Sequence, residues 1–97
     1  MSNKTVRWLH LALQDLHDLM QHYEENTDRA TVEAMATRIW EAGQSLNQLS
    51  LRGRPGKVPN TRELVLTNAP YYLSYRVQGT DVQILRIIHF ARRTPEQ

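Results

Sequence analysis

A change of hydrophobic period constrains this chain more than any other feature. Up to about residue 49 the apolar side chains recur every three or four positions, and beyond residue 60 they recur every two. The break between them, Ser50 to Asn60, holds two Gly and two Pro among eleven residues and stops any helix. Helices must therefore precede the break and strands follow it.

Leu9, Leu13, Leu16, Met20 and Tyr23 step by four, three, four and three, while Gln14, Asp15, Asp18, Gln21 and Glu25 fall elsewhere on the wheel. That pattern predicts an amphipathic helix. Asn26-Thr27-Asp28 supplies turn and N-cap chemistry, and Val32, Met35, Ala36, Ile39, Ala42, Leu46 and Leu49 form the stripe of a second helix. Thr5–Trp8 has the β-branched and aromatic bias of a short first strand. Arg62–Leu66, Tyr71–Val77 and Val82–His89 alternate as three more. The expected fold is α+β in the order β-α-α-β-β-β, a helical hairpin on one face of a small antiparallel sheet, with residues 1–97 as one domain. The Gly/Pro-rich break is expected to be an irregular basic loop.

A Gly79-Thr80 turn pairs Gln78 with Asp81, and hence Val77 with Val82, Tyr75 with Ile84 and Leu73 with Arg86. One face then holds Tyr71, Leu73, Tyr75, Val77, Val82, Ile84 and Ile88, which suits a core. The other holds Tyr72, Ser74, Arg76, Gln83, Leu85, Ile87 and His89, a half-apolar surface the two helices cannot also cover. Arg86 falls on the core face, so a structural pairing with Glu63 or a helix acid is expected. Trp8 and Trp40 adjoin the apolar stripes and are expected at the core or its rim.

With no cysteine, the chain has neither a disulfide framework nor a thiolate metal site, and a reducing cytoplasm is its expected location. No apolar run exceeds three residues, so no membrane span and no membrane partner are expected, and the opening MSNKTVRW has no signal core. The net charge of +2 conceals an asymmetry: residues 1–51 carry −3 and residues 52–97 carry +5, the latter almost entirely arginine. An arginine-rich surface suits phosphate or an acidic protein segment.

His10 and His17 share a helix face but stand two turns apart, too far to chelate one ion, so no metal site is expected. Gly53-Arg54-Pro55-Gly56-Lys57 lacks the spacing of a nucleotide-binding loop and no helix start follows it. No serine or carboxylate constellation suggests hydrolase chemistry, and no cofactor is implied. Arginine, histidine and tyrosine remain, which can cleave RNA or bind without reacting.

Four linked motifs carry a family resemblance: Gly53-Arg54-Pro55-Gly56; Thr61-Arg62-Glu63-Leu64-Val65; Pro70 through Val77; and Ile84 through Arg92. In this order the chain resembles RelE/ParE superfamily toxins of bacterial type II toxin–antitoxin systems, over essentially residues 5–95. The resemblance implies a growth-inhibiting toxin neutralised by a short acidic antitoxin that folds on binding, with operator DNA contacted only through that antitoxin and plasmid maintenance as a typical setting. RelE-like members cut mRNA on the ribosome, and ParE-like members poison DNA gyrase without chemistry of their own. In the nuclease branch an arginine of the sheet serves the scissile phosphate, where this chain has Tyr72, and a phenol supplies no permanent cation. The resemblance is therefore closer to ParE, and implies a gyrase inhibitor rather than an enzyme. Target contact is expected at Arg76, His89, Arg92 and Arg93, with Arg54 and Lys57 in support; antitoxin contact is expected at Tyr72, Ser74, Leu85 and Ile87. In the alternative, a ribosome-dependent endoribonuclease, Arg62, Arg76, His89 and Arg92 would do the work. A remoter alternative is a nucleic-acid or protein interaction module outside toxin biology.

Overall fold

A computed structural model describes residues 3–92. Strand β1 (Thr5–Trp8) leads into helices α1 (His10–Asn26) and α2 (Arg29–Gln44), and a 3-10 turn (Ser45–Asn47) ends the helical half. Then come β2 (Arg54–Pro55), β3 (Arg62–Val65), β4 (Tyr71–Gln78), β5 (Asp81–His89) and a closing 3-10 turn (Phe90–Arg92). The five strands form one sheet in the order β1-β5-β4-β3-β2. The α+β architecture expected from the sequence is present, with two differences. The sheet is mixed, because β1 runs parallel to β5, Thr5 opposite Asp81 and Trp8 opposite Ile84. The Gly/Pro-rich break also contributes β2, whose Arg54 and Pro55 pair with Glu63 and Arg62 at the sheet edge, the one place where proline's missing N–H costs no ladder bond.

Asp28 caps α2 as its sequence suggests, its carboxylate accepting from the backbone N–H of Thr31 at 2.9 Å. That hydrogen bond, on a fully solvated side chain, lowers the pKa of Asp28 below its ordinary 3.8. Val32, Ile39 and Leu46 are buried as expected, whereas Leu49 lies past the helix and is 59% exposed. Helix α1 is rotated from the expected stripe. Ala12 and Leu19 are its buried residues, while Leu13 is 49% exposed. Small Ala12 allows close approach to β5, and the turn of the wheel brings Asp15 inward, where a partner awaits it.

Trp8 stacks on Trp40 with ring centroids 5.2 Å apart and donates from Nε1 to Gln44 at 3.1 Å. Gly43 makes this possible, since a Cβ there would collide with the Trp8 ring and stand 2.8 Å from Ile84 Cδ1. Both tryptophans therefore pack structurally, Trp8 half-buried and Trp40 on the rim. The core between helices and sheet gathers Leu64, Leu66, Tyr71, Leu73, Tyr75, Val82, Ile84 and Ile87 against Ala12, Leu19, Ile39 and Leu46.

The β4–β5 hairpin follows the expected register from Gln78↔Asp81 to Tyr75↔Ile84 and then departs from it. Ser74 pairs with Arg86, Leu73 with Ile87, Tyr72 with Ile88 and Tyr71 with His89. Leu85 is thus the extra residue of a β-bulge, and past it every side chain of β5 lies on the face opposite to the one expected. Ile87 is consequently in the core rather than on the open face, His89 lies on the side of Tyr71, and Ile88 and Arg86 move to the open side.

Candidate functional site

The uncovered face of the sheet follows from the register and the alternation of side chains. It carries Arg7 on β1, Glu63 and Val65 on β3, Tyr72, Ser74 and Arg76 on β4, and Gln83, Leu85, Arg86 and Ile88 on β5. Near its β3 side lies a hollow of about 170 Å³. Tyr72, Leu85, Ile88 and Val58 give it an apolar floor and wall, and Lys57, Thr61, Glu63, Ser74 and Arg86 provide the polar lining. Tyr72 is only 2% exposed and packs against Phe90 with centroids 5.2 Å apart. Its place on this face matches the sequence reading, but the ring is floor rather than an exposed contact. Ser74 and Leu85 are half-buried around it. Ile87, the fourth residue expected to meet an antitoxin, is withdrawn into the core by the bulge.

The charged groups of the open face are held in fixed contacts. Arg54 Nε donates to Glu63 Oε1 at 3.0 Å, and Arg7 Nε to Asp81 Oδ2 at 2.9 Å. Arg76 Nε donates to Gln83 Oε1 at 2.6 Å, leaving an exposed guanidinium beside the hairpin turn. Arg86 reaches past the bulge to Asp15, with Nε–Oδ2 at 2.8 Å and Nη2–Oδ1 at 2.9 Å. Hydrogen bonding to that carboxylate raises the Arg86 pKa above its ordinary value, against a smaller desolvation effect. The expected pairing of Arg86 with a helix acid is therefore found, though at the strand edge and not within the core. Asp15 Oδ2 also accepts from the Ile87 N–H at 2.9 Å, closing the edge of β5 where β1 has ended.

Of the residues proposed for RNA cleavage, the three whose side chains are described, Arg62, Arg76 and His89, are not brought together. Arg62 sits opposite Tyr75, on the helix side of the sheet, and its Nη1 donates to Gly53 O at 2.8 Å. Arg76 lies on the open face beside the hairpin turn. His89 is across from Tyr71, five positions from Arg76 along β4, roughly 16 Å at the rise of a strand, and on the opposite face. Its Nδ1 accepts from the Ala91 N–H at 2.9 Å, and its ring meets Tyr71 edge-on at 5.0 Å. Arg92 ends the last turn with its side chain outside the described residues, as is the whole of Arg93. Lys57 and Arg54 do flank the hollow, on the side of β2 and β3.

Sequence reasoning missed Asp15 and Arg7. The polar spacing puts Asp15 on the outer face of α1, although it also falls inside the alternative stripe Ala12, Leu16, Leu19, Tyr23, and an acid within an apolar stripe signals a paired group. Among the described residues no three His, Asp or Glu side chains gather where they could hold a metal ion, and no helix is long and apolar enough to cross a membrane.

Comparisons with known proteins fit this geometry. The chain is 36% identical over 96 residues to "Putative toxin Y4kP" of Sinorhizobium fredii (strain NBRC 101917 / NGR234), covering 99% of this chain and 98% of that relative. Among solved structures it superposes on a chain of the chromosomal ParDE TA system from P. aeruginosa with a TM-score of 0.84 at 31% identity, covering 89% of this chain and 95% of that one. A chain of the RelBE2 toxin–antitoxin complex from Mycobacterium tuberculosis gives a TM-score of 0.61 at 28% identity, over 92% of this chain and 93% of that one. The sequence model of the ParE toxin of the type II toxin–antitoxin system, parDE, matches residues 6–94, and the chain belongs to that family.

Proposed function

We propose that this type II toxin arrests growth as a ParE-like inhibitor of DNA gyrase, holding the enzyme with its DNA cut, and performs no covalent chemistry of its own. The observation that carries this reading is the dispersal of the candidate nuclease groups. Arg62 is spent on backbone carbonyls, and Arg76 and His89 stand on opposite faces at opposite ends of β4. In-line attack by a 2′-OH needs a phosphate clamp and a proton donor within a few ångströms of one another. Tyr72, where the ribonuclease branch would carry a cation, is buried against Phe90. The closer superposition on the ParDE chain points the same way.

Antitoxin binding belongs to the same reading. The hollow offers an apolar floor, Tyr72, Leu85 and Ile88, beside the cations Lys57 and Arg86, which suits a short acidic segment with one or two apolar anchors. Arg76, together with Arg54 and Lys57, is assigned to target contact.

The deciding experiment measures plasmid supercoiling by purified gyrase with the toxin added, alone and premixed with its antitoxin. Trapped cleaved plasmid, absent when antitoxin is present, is the expected result. Intact supercoiling together with ribosome-dependent mRNA cleavage would replace this reading with the RelE-like one.

A further inference from the structure

The segment Gln48–Arg52 displays two leucines that the core does not use, Leu49 at 59% and Leu51 at 65% exposure. Its backbone is nonetheless held firmly. The fully buried Tyr75 donates from its hydroxyl to Ser50 O at 2.8 Å and accepts from the Gly53 N–H at 2.8 Å. Arg62 Nη1 donates to Gly53 O at 2.8 Å and reaches Leu51 O at 3.4 Å, and Arg52 Nη1 donates to Ser45 Oγ at 3.0 Å. Apolar side chains on a pre-ordered backbone lose little entropy on binding, the arrangement that makes a contact an anchor.

The electrostatic setting selects the partner. Residues 42–62 contain no acid and four cations, Arg52, Arg54, Lys57 and Arg62. Only Arg54 among them has a carboxylate partner within the described residues. A nucleic acid would satisfy the charges but reward neither leucine. A second copy offering the same loop would set like charges together, and two leucines give a lipid surface little to hold. An apolar socket rimmed by carboxylates on another protein satisfies both features. Tyr75 and Arg62 place the loop on the helix side of the sheet, away from the hollow on the open face.

We propose that Leu49 and Leu51 are the anchors by which this toxin grips an acidic-rimmed apolar socket on its target protein, at a surface separate from the antitoxin hollow. This rests on the reading that the toxin acts by binding a protein target. The test is the full-length double variant Leu49→Ser/Leu51→Ser, with Arg52→Glu alongside. Thermal unfolding and antitoxin affinity of the leucine variant should match wild type, since neither side chain belongs to the core. Growth arrest on induction should need at least about ten-fold more toxin with either variant. Undiminished arrest by the leucine variant would overturn the proposal. So would a drop in its antitoxin affinity, which would assign the leucines to the antitoxin. Wild-type sedimentation with phosphatidylserine vesicles, or a wild-type dimer, abolished in the leucine variant would overturn it in favour of lipid or self-contact. If wild type leaves gyrase untouched while the leucine variant still loses growth arrest, the gyrase reading fails and the anchor stands with a different target. If both inhibit gyrase equally, the anchor fails and the gyrase reading stands.

Discussion

Asp15 and Arg86, 71 residues apart in sequence, meet in a two-pronged ion pair at 2.8 and 2.9 Å, and the same Asp15 oxygen that faces Nε also holds the Ile87 N–H. One carboxylate thus joins α1 to the bulged strand and closes an edge amide that β1 is too short to reach. Replacing Asp15 by Ala should cost about 1–3 kcal/mol, chiefly through the bared Ile87 N–H. The ion pair itself adds less, because the Arg86 side chain is 38% exposed. Urea unfolding should show a lower midpoint at unchanged slope, and an unmoved midpoint would remove the linkage.

The face assignment around Leu85 separates two neighbours by their cost. Ile87→Ser removes a core side chain that is 6% exposed and should destabilise by about 2–4 kcal/mol. Leu85→Ser should change stability by less than about 1 kcal/mol, while weakening antitoxin binding measured by calorimetry. Equal destabilisation by the two would contradict the bulge.

Gly43→Ala drives a methyl group into the Trp8 ring and towards Ile84. Overpacking of this kind costs about 1–3 kcal/mol, and near-ultraviolet circular dichroism should report the disturbed Trp8–Trp40 stack. A variant with wild-type stability and spectrum would show that β1 yields freely.

Tyr75→Phe deletes the hydroxyl that fastens Ser50 and Gly53. Hydrogen exchange at Gly53 should quicken by at least about ten-fold, with a stability loss of about 1–3 kcal/mol from the unpaired N–H. Burial raises the Tyr75 pKa above its ordinary 10.0. The unfolded chain therefore loses this proton first, and the contribution is complete below pH 10 and lost as pH rises through the folded value. Tyr75→Phe should accordingly show a shallower alkaline loss of stability than wild type.

At the acid end the sign reverses. Asp28 has a lowered pKa in the folded chain, so its cap contributes fully above about pH 4 and is lost as pH falls through the folded value. Asp28→Asn keeps an N-cap acceptor without the titration, and the melting temperatures of variant and wild type should converge or cross between pH 7 and pH 2. A gap independent of pH would show that the charge of Asp28 contributes nothing.

The helices, the Asp28 cap, the four main strands and the turn-proximal half of the β4–β5 hairpin were legible because each rests on neighbours close in sequence. The Leu85 bulge was not, since Ile84 to His89 is apolar on both parities and nothing local marks which residue is unpaired. That single insertion moved Ile87, Ile88 and His89 between faces, and with them part of the expected site. The facing of α1 failed similarly: Leu13 and Leu19 are equal in hydrophobicity, and what chooses Leu19 is the fit of Ala12 to β5 and the meeting of Asp15 with Arg86. Strand β2 exists only because β3 offers it an edge.

The parallel pairing of β1 with β5 also dictates an order of events during synthesis. Thr5–Trp8 finds its ladder partner only once Asp81–Ile84 have been made, so a chain still short of that point leaves its first strand unpaired. Contacts of such long sequence separation form late and fold slowly. The first strand therefore waits for the last described strand to be made, and the sheet cannot close on that side until then.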